Sequence, residues 1–152
     1  MPSHAETRKL PYSARQMYDL VAEVERYPEF LPWMAAARVR RHTSRPDGSE
    51  LMEVDMVVSF KVFRERFASR DVLWPDRHRI EIEYLDGPFR HLLSNWEFTD
   101  LESGGCEVAF DVDFTFKNRL LQGAAEVFFH EAMKRIVSAF EARADALYGR
   151  PA

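Results

Sequence analysis

The alternation of apolar and polar residues predicts an antiparallel sheet over the middle of the chain. Between residues 51 and 116, five segments place apolar side chains at every second position, as strands with one buried face do. The clearest segment is CEVAFDVDFTF, residues 106–116, in which cysteine, valine and phenylalanine alternate with acids. A slip of one residue would bury those acids, so the register of this strand is strongly specified.

Turn residues separate the predicted strands. RPDG, residues 45–48, combines a proline that presets φ with an Asp-Gly pair that tolerates left-handed geometry. DGP at residues 86–88 and GG at residues 104–105 mark two further turns. An earlier short strand, ETRKL, ends at Pro11. The predicted order is therefore one strand, short helices, about six antiparallel strands and a final helix.

Short helices are predicted directly after the first strand. Ser13 and Gln16 match a capping box, in which each side chain satisfies a backbone N–H group of the other residue. The apolar residues that follow at helical spacing are Met17, Leu20, Val21 and Val24. Pro28 and Pro32 bracket at most one further helical turn, because proline disfavours helical geometry in the residue before it.

The hydrophobic period changes to that of a helix after residue 117. Asn118 is a favourable N-cap, and Gly149 with Pro151 beyond it provides an end signal. A helix from there to Tyr148 would be about 45 Å long, enough to cross a small sheet. Its predicted apolar stripe consists of Leu121, Ala124, Ala125, Phe128, Ala132, Met133, Ile136, Phe140, Ala144 and Leu147.

The long helix is the obvious cover for a sheet that has one apolar face. We therefore predict an α+β fold in one domain, residues 1–152, since domains most often have about 100–150 residues. A curved sheet around a straight helix leaves space at one end, which the short helices can close. Twelve phenylalanines could fill a solid core or line a hollow one.

The charge of the chain disfavours a protein dedicated to binding nucleic acid. The net charge is −4, whereas a dedicated nucleic-acid binder usually has a basic excess. The one locally basic stretch, residues 38–45, fits a solvated strand end, with contact to anionic lipid or nucleic acid as the alternative.

A single cysteine excludes an internal disulfide. The N-terminus lacks a signal-peptide pattern and no run could span a membrane, so we expect a cytoplasmic protein.

A search for catalytic motifs finds little. Neither a dinucleotide fingerprint nor a phosphate-binding loop is present. HEAMK at His130 begins like a zinc-protease helix but has Lys134 in place of the second ligand. Cys106 lies on the apolar face of its predicted strand, as an unreactive core thiol does. Glu107, Asp111 and Asp113 share a strand face, but it is the face opposite the apolar one, so nothing here commits the protein to catalysis.

Large side chains on the inward strand parity are more informative. Trp96, Tyr84, Phe110, Phe67 and Met56 are all predicted to point beneath the long helix. They fit a plain core, and together they also fit a tunnel for a flat or isoprenoid ligand. The segment YPEFLPWM, residues 27–34, combines two prolines with three aromatic residues. Such a segment could act as a plug that only completes the core, or as a lid that covers one end of the tunnel.

Several segments together resemble a known family. They are VAEVERYPEFLPWM, LLSNWEF, VAFDVDFTFKNRLL and VFFHEAMKRIVSAFEARADALYG. The chain resembles the coenzyme Q-binding START-like proteins of the polyketide cyclase and lipid transport superfamily, whose bacterial members are also known as ribosome-association toxins. The match extends over essentially the whole chain. Met34 stands where members often carry a cysteine, so a thiol-dependent role at that position is excluded.

The resemblance implies a helix-grip fold, in which the sheet wraps around the helix from Asn118 to Tyr148, with a hydrophobic tunnel for ubiquinone or a similar lipid. It implies no catalytic residue, no metal and no required cofactor. Combined with the strand parity, it predicts a ligand-binding set composed of Phe30, Leu31, Pro32, Trp33, Met56, Phe67, Tyr84, Trp96, Phe110, Phe128, Met133 and Ile136.

We expect a non-enzymatic ubiquinone carrier that supports respiratory electron transport or quinone biosynthesis at the membrane surface. Residues 30–34, together with Phe128 and Phe129 if one faces outward, could touch the bilayer. The alternative is a toxin-like factor that binds the large ribosomal subunit and blocks subunit association. An enzyme would need polar groups inside the cavity, and the inward parity offers Glu65, Ser69, Ser94 and Tyr84.

Overall fold

The fold was analysed in a computed structural model, which describes residues 3–60 and 63–149, apart from the side chains at positions 60, 63, 125 and 128. Its seven strands are β1 (Ser3–Leu10), β2 (Met34–Ser44), β3 (Glu50–Phe60), β4 (Phe63–Trp74), β5 (Arg79–Asp86), β6 (Phe89–Asp100) and β7 (Cys106–Phe116). Its helices are α1 (Ala14–Ala22), a 3₁₀ helix (Val24–Glu29) and α2 (Arg119–Tyr148).

The strands form one antiparallel sheet in the order β1-β7-β6-β5-β4-β3-β2. Each strand from β2 to β7 pairs with its neighbours in sequence, and β1 closes the order beside β7. The sheet is curved and open, and α2 lies against its apolar face, so the predicted α+β helix-grip fold is confirmed. Inward residues of β7 from Cys106 to Phe114 are buried and outward ones are partly or fully exposed, as the alternation predicted.

The C-terminal end of α2 is anchored to the N-terminal part of the chain, and the start of α2 is anchored to β7. At its C-terminal end, the Tyr148 hydroxyl donates to the carbonyl oxygen of Gln16 at 3.0 Å, and the Tyr12 hydroxyl donates to Asp145. At its N-terminal end, the rings of Phe129 and Phe114 are 4.8 Å apart. The helix therefore has a defined direction across the sheet, with its C-terminus near α1.

The predicted caps are present in the structure. Ser13 and Gln16 form the capping box of α1, and the Asn118 side chain accepts hydrogen bonds from the N–H groups of Leu120 and Leu121 at the start of α2. These side chains satisfy helix N–H groups that would otherwise lack partners. The start of both helices was therefore encoded locally.

The predicted apolar stripe of α2 was partly wrong. Phe140 and Ala144 are buried as predicted, but Leu147 and Ala124 are exposed. The buried residues that the prediction omitted are Phe129 and Val137. Adjacent apolar residues at 128–129 and 136–137 allow two helix rotations that differ by about 100°, and contacts with the sheet decide between them.

The helical turn predicted between Pro28 and Pro32 was also misplaced. The 3₁₀ helix runs from Val24 to Glu29 and contains Pro28. Proline is tolerated because its fixed φ is compatible with a 3₁₀ helix and its missing N–H removes only one hydrogen bond from so short an element.

Gly105→Ala should destabilise the protein more than Gly104→Ala. Both glycines have positive φ, 74° at Gly105 and 97° at Gly104, so both alanines carry backbone strain of about 1 kcal/mol. A Cβ atom on Gly105 would lie 2.2 Å from the carbonyl oxygen of Leu10, whereas one on Gly104 would meet nothing within 4 Å. Urea unfolding should show a further loss of about 2 kcal/mol for Gly105→Ala. Equal losses would contradict the close approach.

Candidate ligand-binding site

Phe140 of α2 is the centre of a buried aromatic group between the helix and the sheet. Its ring lies 5.1 Å from Trp96 and 5.3 Å from both Tyr27 and Phe30, with edge-to-face geometry. Trp96 in turn lies 4.3 Å from Phe110. Such pairs contribute stability beyond the area that they bury, so this group joins helix, sheet and the 3₁₀ helix.

The interface beside this group is nearly solid. A cavity of about 10 Å³ lies between β1, β6, β7, α1 and α2, lined among others by Trp96, Phe110, Val137 and Phe140. That volume holds about one water molecule. A ligand of the size of a quinone therefore has no room there unless the helix and the sheet separate.

A second aromatic group lies at the other end of the sheet, near the N-terminal part of α2. We call Phe67, Tyr84, Phe89, Phe114 and Phe116 the aromatic cluster. Phe89 is its centre, since it lies 5.6 Å from both Phe67 and Tyr84 and 4.7 Å from Phe116. Four of the five rings are only half-buried, and Phe114 is buried.

Incomplete cover by α2 explains the exposure of the aromatic cluster. Over its first three turns the helix leaves two apolar side chains in solvent, Leu120 at 85% exposure and Val127 at 74%. Farther along, Met133 and Ile136 are half-buried against the core. The inner face of the sheet is therefore closed at the α1 end and partly open at this end.

The sequence prediction did not include Phe89. Counting alternate positions from Leu92 and Trp96 places residue 89 on the outer face, but a bulge between Phe89 and His91 shifts the parity. Phe89 consequently lies opposite Phe116 on the inner face. Bulges of this kind are not visible in an alternating pattern.

The segment YPEFLPWM packs on the C-terminal half of α2. The buried Tyr27 hydroxyl donates to the carbonyl oxygen of Val21, and the Phe30 ring packs on Phe140. Outside the core, Glu29 forms an ion pair with Arg143 of α2 at 2.8 Å. Trp33, the last residue but one of the segment, has a φ of 65°, which is unusual for a bulky residue. This segment is therefore held to the helix by both apolar and ionic contacts.

A buried carboxyl group lies on the inner face of β4. Asp71 is 2% exposed, and its neighbours across the sheet are Met52 and Ile82. The buried hydroxyl of Ser69 donates to its Oδ1 atom at 2.9 Å. Burial raises the pKa of Asp71 to about 7, and the hydrogen bond from Ser69 offsets part of that rise.

Asp71 was missed by the sequence analysis although the signal was present. It has the same parity as Phe67, Ser69 and Leu73 on β4, so alternation places it inside. An acid at an inward position is costly unless it is protonated or paired. Among the described residues no cation contributes to its pKa, which leaves protonation as the way to reduce that cost.

The predicted ligand-binding residues fall into two groups. Trp96, Phe110, Met56 and Leu31 are buried in the core. Half-buried positions are occupied by Phe30, Pro32, Trp33, Phe67, Tyr84, Met133 and Ile136. The side chain of Phe128 lies outside the described part of the structure. A ligand role for any of these residues remains a prediction.

The groups considered for catalysis or metal binding lie apart from one another in the structure. Burial raises the pKa of the Cys106 thiol to about 11, which disfavours the reactive thiolate. Asp111 is exposed on the outer face, and Asp113 pairs there with His91 at 3.2 Å. Within residues 3–60 and 63–149, no three His, Cys, Asp or Glu side chains are grouped as metal ligands.

Two arginines of the locally basic stretch, Arg40 and Arg41, form ion pairs with acids of β3. Arg40 and Arg66 both contact Asp55, at 3.1 and 2.9 Å, and Arg41 lies 3.6 Å from Glu53. These pairs cross the outer face between β2, β3 and β4. The stretch therefore presents less positive charge to an anionic partner than its sequence suggests.

None of the described helices is long and apolar enough to cross a membrane.

Comparison with known proteins identifies relatives over nearly the whole chain. Ribosome association toxin RatA from Pseudomonas aeruginosa is 36% identical over 140 residues, which cover 92% of this chain and 93% of that protein. The mitochondrial coenzyme Q-binding protein COQ10 homolog B from Xenopus laevis is 36% identical over 151 residues. That match covers 97% of this chain and 59% of that protein.

Solved structures agree on the fold. An 18 kDa protein from Caulobacter crescentus superposes with a TM-score of 0.81 at 32% identity, covering 98% of this chain and 99% of that one. A START superfamily protein from Mycobacterium smegmatis gives 0.78 at 18% identity, covering 95% and 98%. The chain is thus a START-like, helix-grip protein. It belongs to the polyketide cyclase/dehydrase and lipid transport family, whose model matches residues 10–141.

Asp71→Asn should remove a pH dependence of stability. The pKa of Asp71 is about 7 in the folded protein against 3.8 for the ordinary group, so the folded state keeps a proton that the unfolded state releases. The wild type should therefore lose stability as pH rises from about 4 to about 7, by at most about 4 kcal/mol. Urea unfolding of both proteins across this range measures the difference.

The matched control for this prediction is Asp111→Asn, because Asp111 is exposed on the opposite face of the sheet. Its unfolding curve should follow that of the wild type at every pH. Parallel pH profiles for Asp71→Asn and the wild type would contradict a buried, protonated carboxyl group.

Proposed function

We propose that this protein is a non-enzymatic carrier of ubiquinone or a similar isoprenoid lipid, which it binds without a further cofactor between α2 and the sheet. The observation that carries the proposal is the half-buried aromatic cluster beneath the incompletely packed end of α2. Similarity to a coenzyme Q-binding protein over 97% of the chain supports the ligand class.

The physical basis of binding would be the burial of apolar surface. Desolvating an isoprenoid tail contributes about 25 cal/mol for each Å² removed from water. The rings of Phe67, Tyr84 and Phe89 offer flat apolar faces to such a tail. Because the cavity beside Phe140 is only about 10 Å³, binding would also require α2 or the segment YPEFLPWM to move.

The proposed site of action is the cytoplasmic surface of a membrane. Leu120 and Val127 project from the same end of α2 as the aromatic cluster, where they could enter the outer part of a bilayer. Phe129 is buried and is therefore not the outward contact considered from the sequence. The ion pairs of Arg40 and Arg41 in β2 reduce the charge that these two residues offer to anionic lipid.

Trp33→Ala should lower quinone retention more than it lowers thermal stability. Trp33 is half-buried where YPEFLPWM enters β2, so its removal should open the segment without emptying the core around Phe140. Purified protein is extracted with organic solvent, and quinone per folded molecule is measured by mass spectrometry beside the melting temperature. We expect at least about fivefold less quinone, equivalent to about 1 kcal/mol.

The matched control is Trp74→Ala. Trp74 is also half-buried, but its indole N–H donates to Glu81 at the far end of β4, so retention should be unchanged. A wild-type protein that carries no quinone and takes up none when it is added would refute the carrier. If Trp33→Ala lowers the melting temperature but leaves quinone per folded molecule unchanged, the segment YPEFLPWM only fills the core and has no role in binding.

A second candidate is a factor that binds the large ribosomal subunit. It is favoured by the 36% identity to ribosome association toxin RatA over 92% of the chain, and by the solid packing around Phe140. Against it stand the net charge of −4 and the ion pairs of Arg40 and Arg41, because contact with ribosomal RNA favours free Lys and Arg.

Sedimentation of a cell lysate through a sucrose gradient should separate the two functions. We expect the protein in light or membrane fractions, because a lipid carrier has no reason to follow ribosomes. Co-migration with the large subunit that persists at moderate salt would support the ribosomal function instead. Salt-sensitive co-migration would be ordinary electrostatic adsorption, and the protein would then be expected in the light fractions at that salt.

A further inference from the structure

We propose that the carboxylic acid of Asp71, held by Ser69, donates a hydrogen bond to a carbonyl oxygen on the head group of the bound ligand. The inference rests on the proposed carrier function and assigns the polar contact that an otherwise apolar site uses to orient its ligand. Sites of this kind are mostly apolar with a small number of well-placed polar groups.

The register of β4 leads from the aromatic cluster to Asp71. Phe67, Ser69 and Asp71 are successive inward residues of this strand, so Asp71 lies about 13 Å beyond Phe67 along the strand. Tyr84 lies opposite Ser69, and Ile82 lies opposite Asp71. A tail lying over the aromatic rings would therefore bring an attached ring toward the acid.

The hydrogen bonds of the site leave one oxygen of Asp71 available. Ser69 donates to Oδ1, and among the described residues it is the only hydrogen-bond partner of the carboxyl group. A proton on Oδ2 can then be directed at an acceptor. The other buried hydroxyls nearby are committed, because Ser94 donates to the carbonyl oxygen of Asp111 at 2.7 Å and Tyr27 donates to that of Val21.

The surroundings keep this acid protonated at pH values below about 7. Burial raises the pKa of Asp71 to about 7. The titratable groups near it are Tyr27 from the 3₁₀ helix, whose pKa is itself raised by burial and by the Asp71 charge, and Tyr84 from β5, whose pKa is also raised. Both tyrosines are therefore neutral, and β3 contributes the apolar Met52 and Val54.

Access to Asp71 requires the cover to move, since the residue is 2% exposed. The segment YPEFLPWM is the part of the chain that could do so, because Tyr27 is close enough to Asp71 to feel its charge. A ligand carbonyl group that accepts a hydrogen bond from Asp71 would offset part of the free-energy cost of burying this acid. The unliganded protein does not make that hydrogen bond.

The test compares two ligands and three proteins across pH. The probes are ubiquinone with a tail of two isoprene units and squalene, a hydrocarbon that has no carbonyl group. The proteins are the wild type, Asp71→Asn, which keeps a donor that does not titrate, and Asp71→Leu, which has none. Dissociation constants are measured between pH of about 5.5 and 8.5, with thermal melting to verify folding.

For the wild type, quinone affinity should fall about five- to tenfold as pH rises through about 7, because the donor is lost. Asp71→Asn should bind quinone with little dependence on pH. Asp71→Leu should bind it about five- to tenfold more weakly than the wild type at low pH. Squalene affinity should be equal in all three proteins at every pH.

The outcomes separate this inference from the carrier function. If the wild type binds neither probe, the carrier function itself fails. If it binds quinone with an affinity that does not depend on pH and that Asp71→Leu shares, the carrier stands and the role of Asp71 is refuted. A parallel loss of squalene binding in Asp71→Leu would also refute it, since that loss would report a change in cavity shape.

Discussion

The packing of Phe140 is the contact on which the rest of the structure depends. Its ring meets Trp96 from the sheet and Tyr27 and Phe30 from the 3₁₀ segment, so three separate parts of the chain meet at one side chain. The same contact divides the interior in two. Toward α1 the helix and the sheet are packed with almost no cavity, and toward the start of α2 the aromatic cluster remains half-covered.

This division fits the requirements of a lipid carrier. A site that must accept and release an apolar ligand cannot be the part of the protein that provides its stability. Here the capped, fully buried end around α1 holds the fold together, and the start of α2, where Leu120 and Val127 are exposed, is left with few stabilising contacts. Separation of α2 from the sheet at that end would expose the aromatic cluster, whereas access to Asp71 would also require YPEFLPWM to move away from Phe140.

The sequence predicted those parts of the structure that local chemistry determines. Alternation in β7, the capping box at Ser13 and the N-cap at Asn118 were all confirmed. The rotation of α2 was partly wrong because neighbouring apolar residues satisfy the helical period equally well. Phe89 was missed because a bulge reverses strand parity. Asp71, by contrast, was predictable, since its parity alone places a carboxyl group inside the core.

The position of Asp71 also bears on why a carrier would retain a buried acid. An apolar residue of similar size at this position would pack on Met52 and Ile82 without any desolvation cost, and such replacements are often neutral or stabilising. The aromatic cluster can hold an isoprenoid tail but cannot distinguish one apolar chain from another. A single protonated carboxyl group about 13 Å farther in would supply that distinction, because only a ligand with an acceptor at the right depth satisfies it. In a carrier of this kind, the stability given up at Asp71 would be compensated by ligand selectivity.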